Sequence, residues 1–576
     1  MKMKVSHFIA DFLRVQKTSC VFEVAGGMIT HILDSIYQYG NTSIISVHHE
    51  QAAAFAAEAY GRCLGRPGVA LATSGPGATN LLTGIGSCYF DSSPALFITG
   101  QVNTYELKGL SQVRQLGFQE TDIVSMAKPI TKACYQIQDP LEVESIFYDA
   151  YSLTINNRPG PVLIDIPMNI QRAEVDFQPI QLIERTNEKQ KLDKATLELF
   201  FSKIIQAKRP LILVGNGVRC SKSHHLFEQF INLIPIPVVT SLLAIDTISF
   251  SDCLRVGMIG SYGNRWANIA LGTCDLLIVL GSRLDIRQTG ADTTSFKKDK
   301  TIIHIDCDQS EVNNRIKDCI PIISDLRDFL LATIENLKNK ELPSFKKWHS
   351  EIDEIRLKWP DTEELKGCVG INPNHFIHEL SSTSSSAKGY VVDVGAHQMW
   401  AAQSIELGQN QLFLTSGGMG AMGFSLPAAI GACLAQNKQP MVVIVGDGCL
   451  QMNIQELQTV VRNNLPIKII VINNQALGMI RQFQDSYFEG RYQSTYWGYN
   501  TPNFVEIAKA YKIPARTINS QEEIKTACEW LWSSEIRYGL LEVMIDSKTN
   551  VYPKIAFGKP ITEMEPFAEP EGMECT

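Results

Sequence analysis

Asp447 stands between two glycines in GDG (446–448), and Asn474 closes the pair Asn473–Asn474 further along the chain. A carboxylate and an amide oxygen are hard donors suited to Mg²⁺ or Ca²⁺, and such a partial cage leaves positions for a phosphate. Gly446 and Gly448 let backbone N–H groups approach that phosphate at the positive end of a following helix. The same residues also make a glycine turn and an asparagine turn that bind nothing, and spacing alone leaves both readings open. Asn463 and Asn464 form a second pair, but at the end of a helical pattern. Glu50 follows the apolar run SIISV and opens QAAAFAAEAYG, a small-residue helix. Alone, a glutamate there ordinarily complements the helix dipole at the surface. For His48 and His49 a structural role is expected.

The elements around Asp447 and Asn474 are legible. MVVIVG (441–446) is a strand ending at Gly446; MNIQELQTVVRN has apolar residues at 452, 454, 457, 460 and 461, the period of a helix; IKIIVI (467–472) is the next strand. Such a βαβ unit makes the strands parallel neighbours and brings both residues to the C-terminal edge of one sheet, where doubly wound folds bind ligands. Similar Val- and Ile-rich runs recur at 42–47, 68–73, 94–99, 161–166, 210–215, 275–281, 301–306 and 390–395, with helical patterns between them. Continuous apolar strands alternating with helices indicate parallel sheets covered on both faces. Polar linkers near 172–193 and 338–368 divide the chain into three α/β, doubly wound parallel-sheet domains, placed at 1–175, 190–340 and 366–550. The tail at 551–576 is Pro- and Glu-rich, lacks periodicity and is expected to be a surface extension.

Bulk numbers bound the partners. The 576 residues exceed what one core supports. Apolar residues make 45% and charged residues 19%, a soluble globular mix, and the net charge of −8 gives no basic footprint for nucleic acid. No apolar run approaches the roughly 20 residues needed to span a bilayer. The N-terminus carries Asp11 and Arg14 inside its apolar pattern, so it reads as an amphipathic helix and not a signal peptide. Fourteen cysteines lie scattered, none at CxxC spacing, which points to reduced thiols in a cytoplasm.

GDG followed by NN is similar to the signature of thiamine diphosphate enzymes. The segments VHHEQAAAFAAEAYGR, ATSGPGATNLLTG, SPALFITGQV, GFQETDIV, RPGPVLIDIP, GAHQMWAAQ, SGGMGAMGFSLPAAIGA and NNQALGMIRQF resemble, in order, those of the acetohydroxyacid synthase (acetolactate synthase) large catalytic subunit. The resemblance implies that Asp447, Asn474 and the carbonyl of Ala476 hold Mg²⁺. It makes Glu50 the carboxyl that hydrogen-bonds the cofactor's aminopyrimidine, for which a partly desolvated site keeps a proton to share. Gly420 then supplies a carbonyl to that ring, and Met422 bends the cofactor. Gly395, His397 and Gln398, with Gly446 and Gly448, face the diphosphate. Gly26 and Gly27 face the thiazolium, although Glu23, Val24 and Ala25 replace the family's Gly-Tyr-Pro. Phe118 and Gln119 line the substrate funnel, with Gln119 the better functional candidate, and Met479 and Phe483 flank the acceptor. Arg158, Gly215, Gly217, Thr240, Leu242, Gly260, Tyr262, Gly281, Arg283, Asp285, Arg287, Asp306 and Asp325 resemble FAD-binding positions, the flavin being largely structural. Within that set, Arg283 and Arg287 could neutralise a pyrophosphate, and Asp306 could accept from a ribose hydroxyl.

The implied reaction decarboxylates pyruvate and passes the two-carbon unit to a second carbonyl compound, most simply a 2-keto acid. Two departures bear on the acceptor. Phe483 stands where the family has tryptophan, and VYPKIAFGKPITEMEP resembles relatives that acetylate the keto group of a nucleotide-linked deoxysugar. An FAD-redox pyruvate oxidase and a catalytically dead partner subunit are the other readings; retention of Glu50, Asp447 and Asn474 opposes the last. Arg481 either approaches an acceptor anion or is a solvated surface residue. The family further implies a homodimer or homotetramer, with the pyrimidine half of the cofactor held by the first domain of one subunit and the diphosphate half by the third domain of another. A small regulatory subunit is a further possible partner.

Overall fold

The computed structural model of the protein describes residues 2–186, 192–337 and 341–571. Parts of both expected linkers, 187–191 and 338–340, and the tail end, 572–576, lie outside the described residues. Among the described residues the strands form three six-stranded parallel sheets and two two-stranded pairs.

The first sheet comprises Cys20–Val24, Ser43–Ser46, Gly68–Ala72, Ala95–Gln101, Ala133–Gln136 and Pro161–Pro167. Across the sheet they run second, first, third, fourth, sixth, fifth. The third sheet comprises Gly389–Val392, Leu412–Leu414, Met441–Gly446, Ile467–Asn473, Ala515–Ile518 and Gly539–Met544, in the same order. The central sheet, Pro210–Val214, Val238–Thr240, Arg255–Met258, Leu276–Leu280, Thr301–Asp306 and Ile320–Ile323, runs third, second, first, fourth, fifth, sixth. Every sheet therefore reverses direction beside its first strand, and such a switch point opens a crevice at the C-terminal edge. The inner strands are buried along their length, as continuous apolar runs require.

By packing, the chain forms two compact units: Met1–Asn187 with Ser416–Met441 and Met452–Ile467, and Glu188–Thr415 with Val442–Gln451 and Lys468–Thr576. In the first, the helix Glu50–Leu64 lies against Ser425–Ala435 so closely that a methyl on Gly431 would come within 2.0 Å of the Ala56 carbonyl oxygen. That approach explains the alanine- and glycine-rich composition of both helices. Among the described residues no helix is long and apolar enough to cross a membrane.

Three expectations are corrected. The helical pattern after Gly446 is divided into Asp447–Met452, a 3₁₀ turn Ile454–Glu456, and Leu457–Arg462. Asn453 leaves helical geometry, and its side chain donates to Gly423 O (2.8 Å) and Gln51 Oε1 (3.2 Å). The second linker contains the helix Lys346–Lys358, which buries Trp348 and Ile352 against the central domain. The tail is no surface extension. Lys554–Ile555 pairs antiparallel with Met564–Glu565, and Ile555, Ile561 and Met564 are buried in that same core.

Candidate active site

In the first unit, Gly26 and Gly27 follow the first strand and Thr73 follows the third, at the switch point. The Met28 N–H donates to Thr73 Oγ1 (3.3 Å). A methyl on Gly26 would come within 2.5 Å of Thr73 Cβ. Glu23, at the departure from the family pattern, is buried in the strand and accepts from Ser46 Oγ (2.5 Å).

Glu50 is the first residue of its helix and is buried. His49 sets its position: its Nδ1 accepts the Gln51 N–H (3.0 Å) and caps the helix. The His48 N–H is taken by Glu456 (2.9 Å). The His49 side chain thus serves local structure, while His48 is held through its backbone with its ring exposed. Asn80 Nδ2 donates to Glu50 Oε2 (2.9 Å), and Oε1 faces Gly77. Gln119 adopts a left-handed φ of 66° and lies against Gly75. Thus Gly26, Thr73, Gly75, Gly77, Asn80, Glu50 and Gln119 gather around one edge. Thr73 and Asn80 escaped residue-level assignment, although ATSGPGATNLLTG contains both; the sequence carries no signal for the Asn80–Glu50 contact. Phe118 is 79% exposed, and Leu110 and Leu116 earlier in the same segment are exposed as well. Arg158 donates to Ser92 Oγ (2.9 Å). Gly420 has a left-handed φ of 65°, and Met422 is half-buried.

In the second unit, the switch point lies between Gly389–Val392 and Met441–Gly446. Asp447 is 3% exposed, Asn474 5% and Ala476 3%, so the proposed donors are shielded from bulk water. Asp447 Oδ1 accepts the Gly448 N–H (3.0 Å), so this amide is used by the carboxylate. Oδ2 is buried and faces the Tyr499 hydroxyl, the two lying outside full hydrogen-bond geometry yet close enough to interact. Burial pushes the Asp447 carboxyl up to about 7, against lowering contributions from the Gly448 N–H, Tyr499 and the Gln475 N–H. Asn473 is consumed by Glu542 (2.8 Å) and by the Gln475 N–H (3.1 Å), which leaves Asn474 as the available amide of the pair. An unmatched buried carboxylate oxygen beside 474–476 suits a hard divalent cation.

His397 is buried, and its Nε2 accepts the Gly446 N–H (3.2 Å). Burial lowers its pKa to about 4, against the opposing charge of Asp393, so the ring is neutral. A methyl on Gly395 or on Gly446 would come within 2.7 Å of the ring, so both glycines are needed to hold it. Gln398 donates to Thr415 Oγ1 (2.6 Å). Asp393, His397 and Cys449 also place donor atoms within 4.8 Å of one another. Cys449 Sγ, however, donates to Val394 O (3.1 Å), and His397 is occupied by Gly446, so this cluster closes on itself. Met479 packs against the core, and Phe483 lies 4.8 Å from Tyr487 and 5.8 Å from Phe488, ring to ring. Arg481 is not a solvated surface residue. It is 3% exposed, pairs with Asp485 (2.7 Å) and donates to Asn550.

In the central domain, Gly215 and Gly217 meet Gly281 at the switch point; a methyl on Gly217 would come within 2.7 Å of Gly281 Cα. Thr240 ends its strand, and Gly260 approaches the Arg287 carbonyl. Leu242 and Tyr262 pack against the core of the third domain. Among the acids, Asp285 caps a short helix and lies 3.5 Å from Arg283, Asp306 accepts the Asp308 N–H (2.9 Å), and Asp325 the Arg327 N–H (2.8 Å).

Family models match in chain order: thiamine pyrophosphate enzyme, N-terminal TPP binding domain, at 3–126; central domain at 197–333; and C-terminal TPP binding domain at 393–536. The acetolactate synthase large subunit of Cyanidium caldarium is 35% identical over 570 residues, covering 96% of this chain and 95% of that one. The Lactococcus lactis large subunit is 35% identical over 561 residues, covering 97% and 95%. The isozyme 2 large subunit of Escherichia coli is 34% identical over 562 residues, covering 98% and 99%. With three domains matched in order and relatives covered almost end to end, the chain belongs to the thiamine pyrophosphate enzymes, in the family of the acetolactate synthase large subunits.

Proposed function

We propose that the protein decarboxylates pyruvate and transfers the two-carbon unit to a second 2-keto acid, as an acetolactate synthase does. The full-length likeness to acetolactate synthase large subunits carries this reading. Bound thiamine diphosphate supplies the ring that stabilises the carbanion left by decarboxylation. Glu50 shares a proton with a ring nitrogen through its carboxyl, steadied at Oε2 by Asn80. Asp447, Asn474 and the Ala476 carbonyl hold Mg²⁺ against the diphosphate, and neutral His397 keeps the Gly446 turn in place. Gln119 serves the substrate side of the Glu50 edge.

FAD belongs to the central domain, supported by the Gly215–Gly217–Gly281 crevice and by Arg283 and Arg287 beside it; a flavin spectrum of the purified protein tests this. The active unit is a homodimer or a pair of them, supported by the exposed Leu110, Leu116 and Phe118. A small regulatory chain and a cytoplasmic location complete the reading.

Phe483 favours a second reading, a keto-sugar acceptor, because the smaller ring leaves a wider wall than tryptophan. Labelled pyruvate supplied alone, with 2-ketobutyrate, or with a nucleotide-linked 4-keto-deoxysugar, with products identified by NMR, decides between them. Acetolactate from pyruvate alone supports the first reading. Product only with the sugar supports the second, and oxygen-dependent acetyl phosphate would overturn both.

A further inference from the structure

The loop Ser416–Met422 carries Gly420 and Met422, yet little in its own sequence, SGGMGAM, fixes its path. Its mooring lies on the first domain. Asp91 follows the helix Leu82–Phe90 and is 2% exposed. Its Oδ2 accepts the Gly417 N–H (2.8 Å) and its Oδ1 the Gly418 N–H (2.6 Å), so one carboxylate grips two consecutive amides. Ser416 Oγ lies 3.3 Å from Ser87 Oγ and accepts the Ala421 N–H (3.2 Å), which draws the loop round on itself. A methyl on Gly418 would come within 2.7 Å of Phe90 Cβ, and one on Gly86 within 3.3 Å of the Met419 tip. The buried charge is balanced by Arg62, 3.8 Å from Asp91 and 3.6 Å from Glu58. An asparagine has the same shape but one acceptor oxygen; its NH₂ would face a backbone N–H.

We propose that Asp91 is a positioning residue: by holding the amides of Gly417 and Gly418 it sets the Ser416–Met422 loop in the form that receives the thiamine ring. The proposal rests on the reading that Gly420 and Met422 hold that ring. Charge-assisted bonds to backbone amides are among the stronger protein hydrogen bonds.

The test uses the full chain with Mg²⁺ and FAD, and measures the Kd of thiamine diphosphate by fluorescence quenching, kcat at saturating cofactor, and melting of the cofactor-free protein. Asp91→Asn is expected to raise the Kd about ten-fold or more, with kcat recovered in part at high cofactor concentration. Gly418→Ala perturbs the same contact from the loop side: the carboxylate is kept, but the added methyl would press on Phe90 Cβ and come within 3.1 Å of Asp91 Oδ1. It is expected to weaken cofactor binding in the same direction, and carries the test if Asp91→Asn does not fold. Met422→Ala reports on the underlying reading. If Met422→Ala weakens binding while Asp91→Asn and Gly418→Ala do not, or if these two lower only the melting temperature, the positioning role is overturned and the loop reading stands. If Met422→Ala leaves the Kd unchanged, the loop reading falls and the proposal with it.

Discussion

Glu50 and Asp447 are both buried carboxylates with different surroundings, which suit the different tasks proposed for them. Glu50 keeps one oxygen bonded to Asn80 and the other directed at a glycine, an arrangement for sharing a proton with something that arrives. Glu50→Gln should therefore retain the cofactor but slow deprotonation of its reactive carbon roughly 10²–10⁴-fold. Hydrogen–deuterium exchange at that carbon reads this directly, and near-normal exchange would refute it. Asp447 keeps one oxygen unmatched, which costs folding energy unless a cation is present. Asp447→Ala should thus melt no lower than wild type without metal, yet lose all Mg²⁺-dependent retention of thiamine diphosphate; melting curves with and without both ligands decide. Asp447 and Asn474 were legible in the sequence because strand, turn and helix signals locate them at one edge. Thr73 and Asn80 were not, because a polar residue in a glycine-rich loop has many ordinary uses and only the fold shows what it faces. Asp285, Asp306 and Asp325 each accept a nearby backbone N–H, a local contact that the family pattern did not announce.

At the scale of elements, periodicity carried the inner strands because both faces are buried, and it failed where a few contacts decide. The pattern through 452–461 is continuous, yet Asn453 trades helix geometry for bonds to Gly423 and Gln51. Ile555, Ile561 and Met564 have no regular spacing, so nothing in the tail announced that it covers the central core. Met564→Ala and Ile561→Ala should each destabilise the protein by about 2–4 kcal/mol, measured by urea denaturation; an effect near zero would return the tail to the surface. His378 ties the helix Pro373–Thr383 to Asp361 (2.9 Å) and Glu406 (2.7 Å). Burial alone would lower its pKa from the ordinary 6.5, but the bonds to and charges of the two carboxylates prevail and raise it. Its contribution is complete below the unfolded value and is lost as pH rises through the raised folded value. His378→Gln should flatten this dependence, so the gap in melting temperature from wild type should narrow as pH rises above the ordinary histidine range.

For the whole molecule, the exposed Leu110, Leu116 and Phe118 are apolar side chains that a second copy would cover. Leu116→Asp with Phe118→Asp should yield a monomer in sedimentation and abolish activity; an active monomer would dismiss the dimer. Mixing Glu50→Gln chains with Asp447→Ala chains should restore part of the activity if a complete site draws on two subunits.

The strand order shared by the first and third sheets also bears on how the chain is made. In both, the fifth strand is an edge whose sole neighbour is the sixth. Ala515–Ile518 therefore leaves the ribosome with no partner and must wait until Gly539–Met544 follows it. A chain that stops between them loses two strands from the sheet, not one, and exposes the flank of Ile467–Asn473, the strand that leads into Asn474. Premature termination near the C-terminus thus removes far more than its few missing residues suggest. The interval between those two strands is when the nascent protein has an open sheet edge and most needs a chaperone.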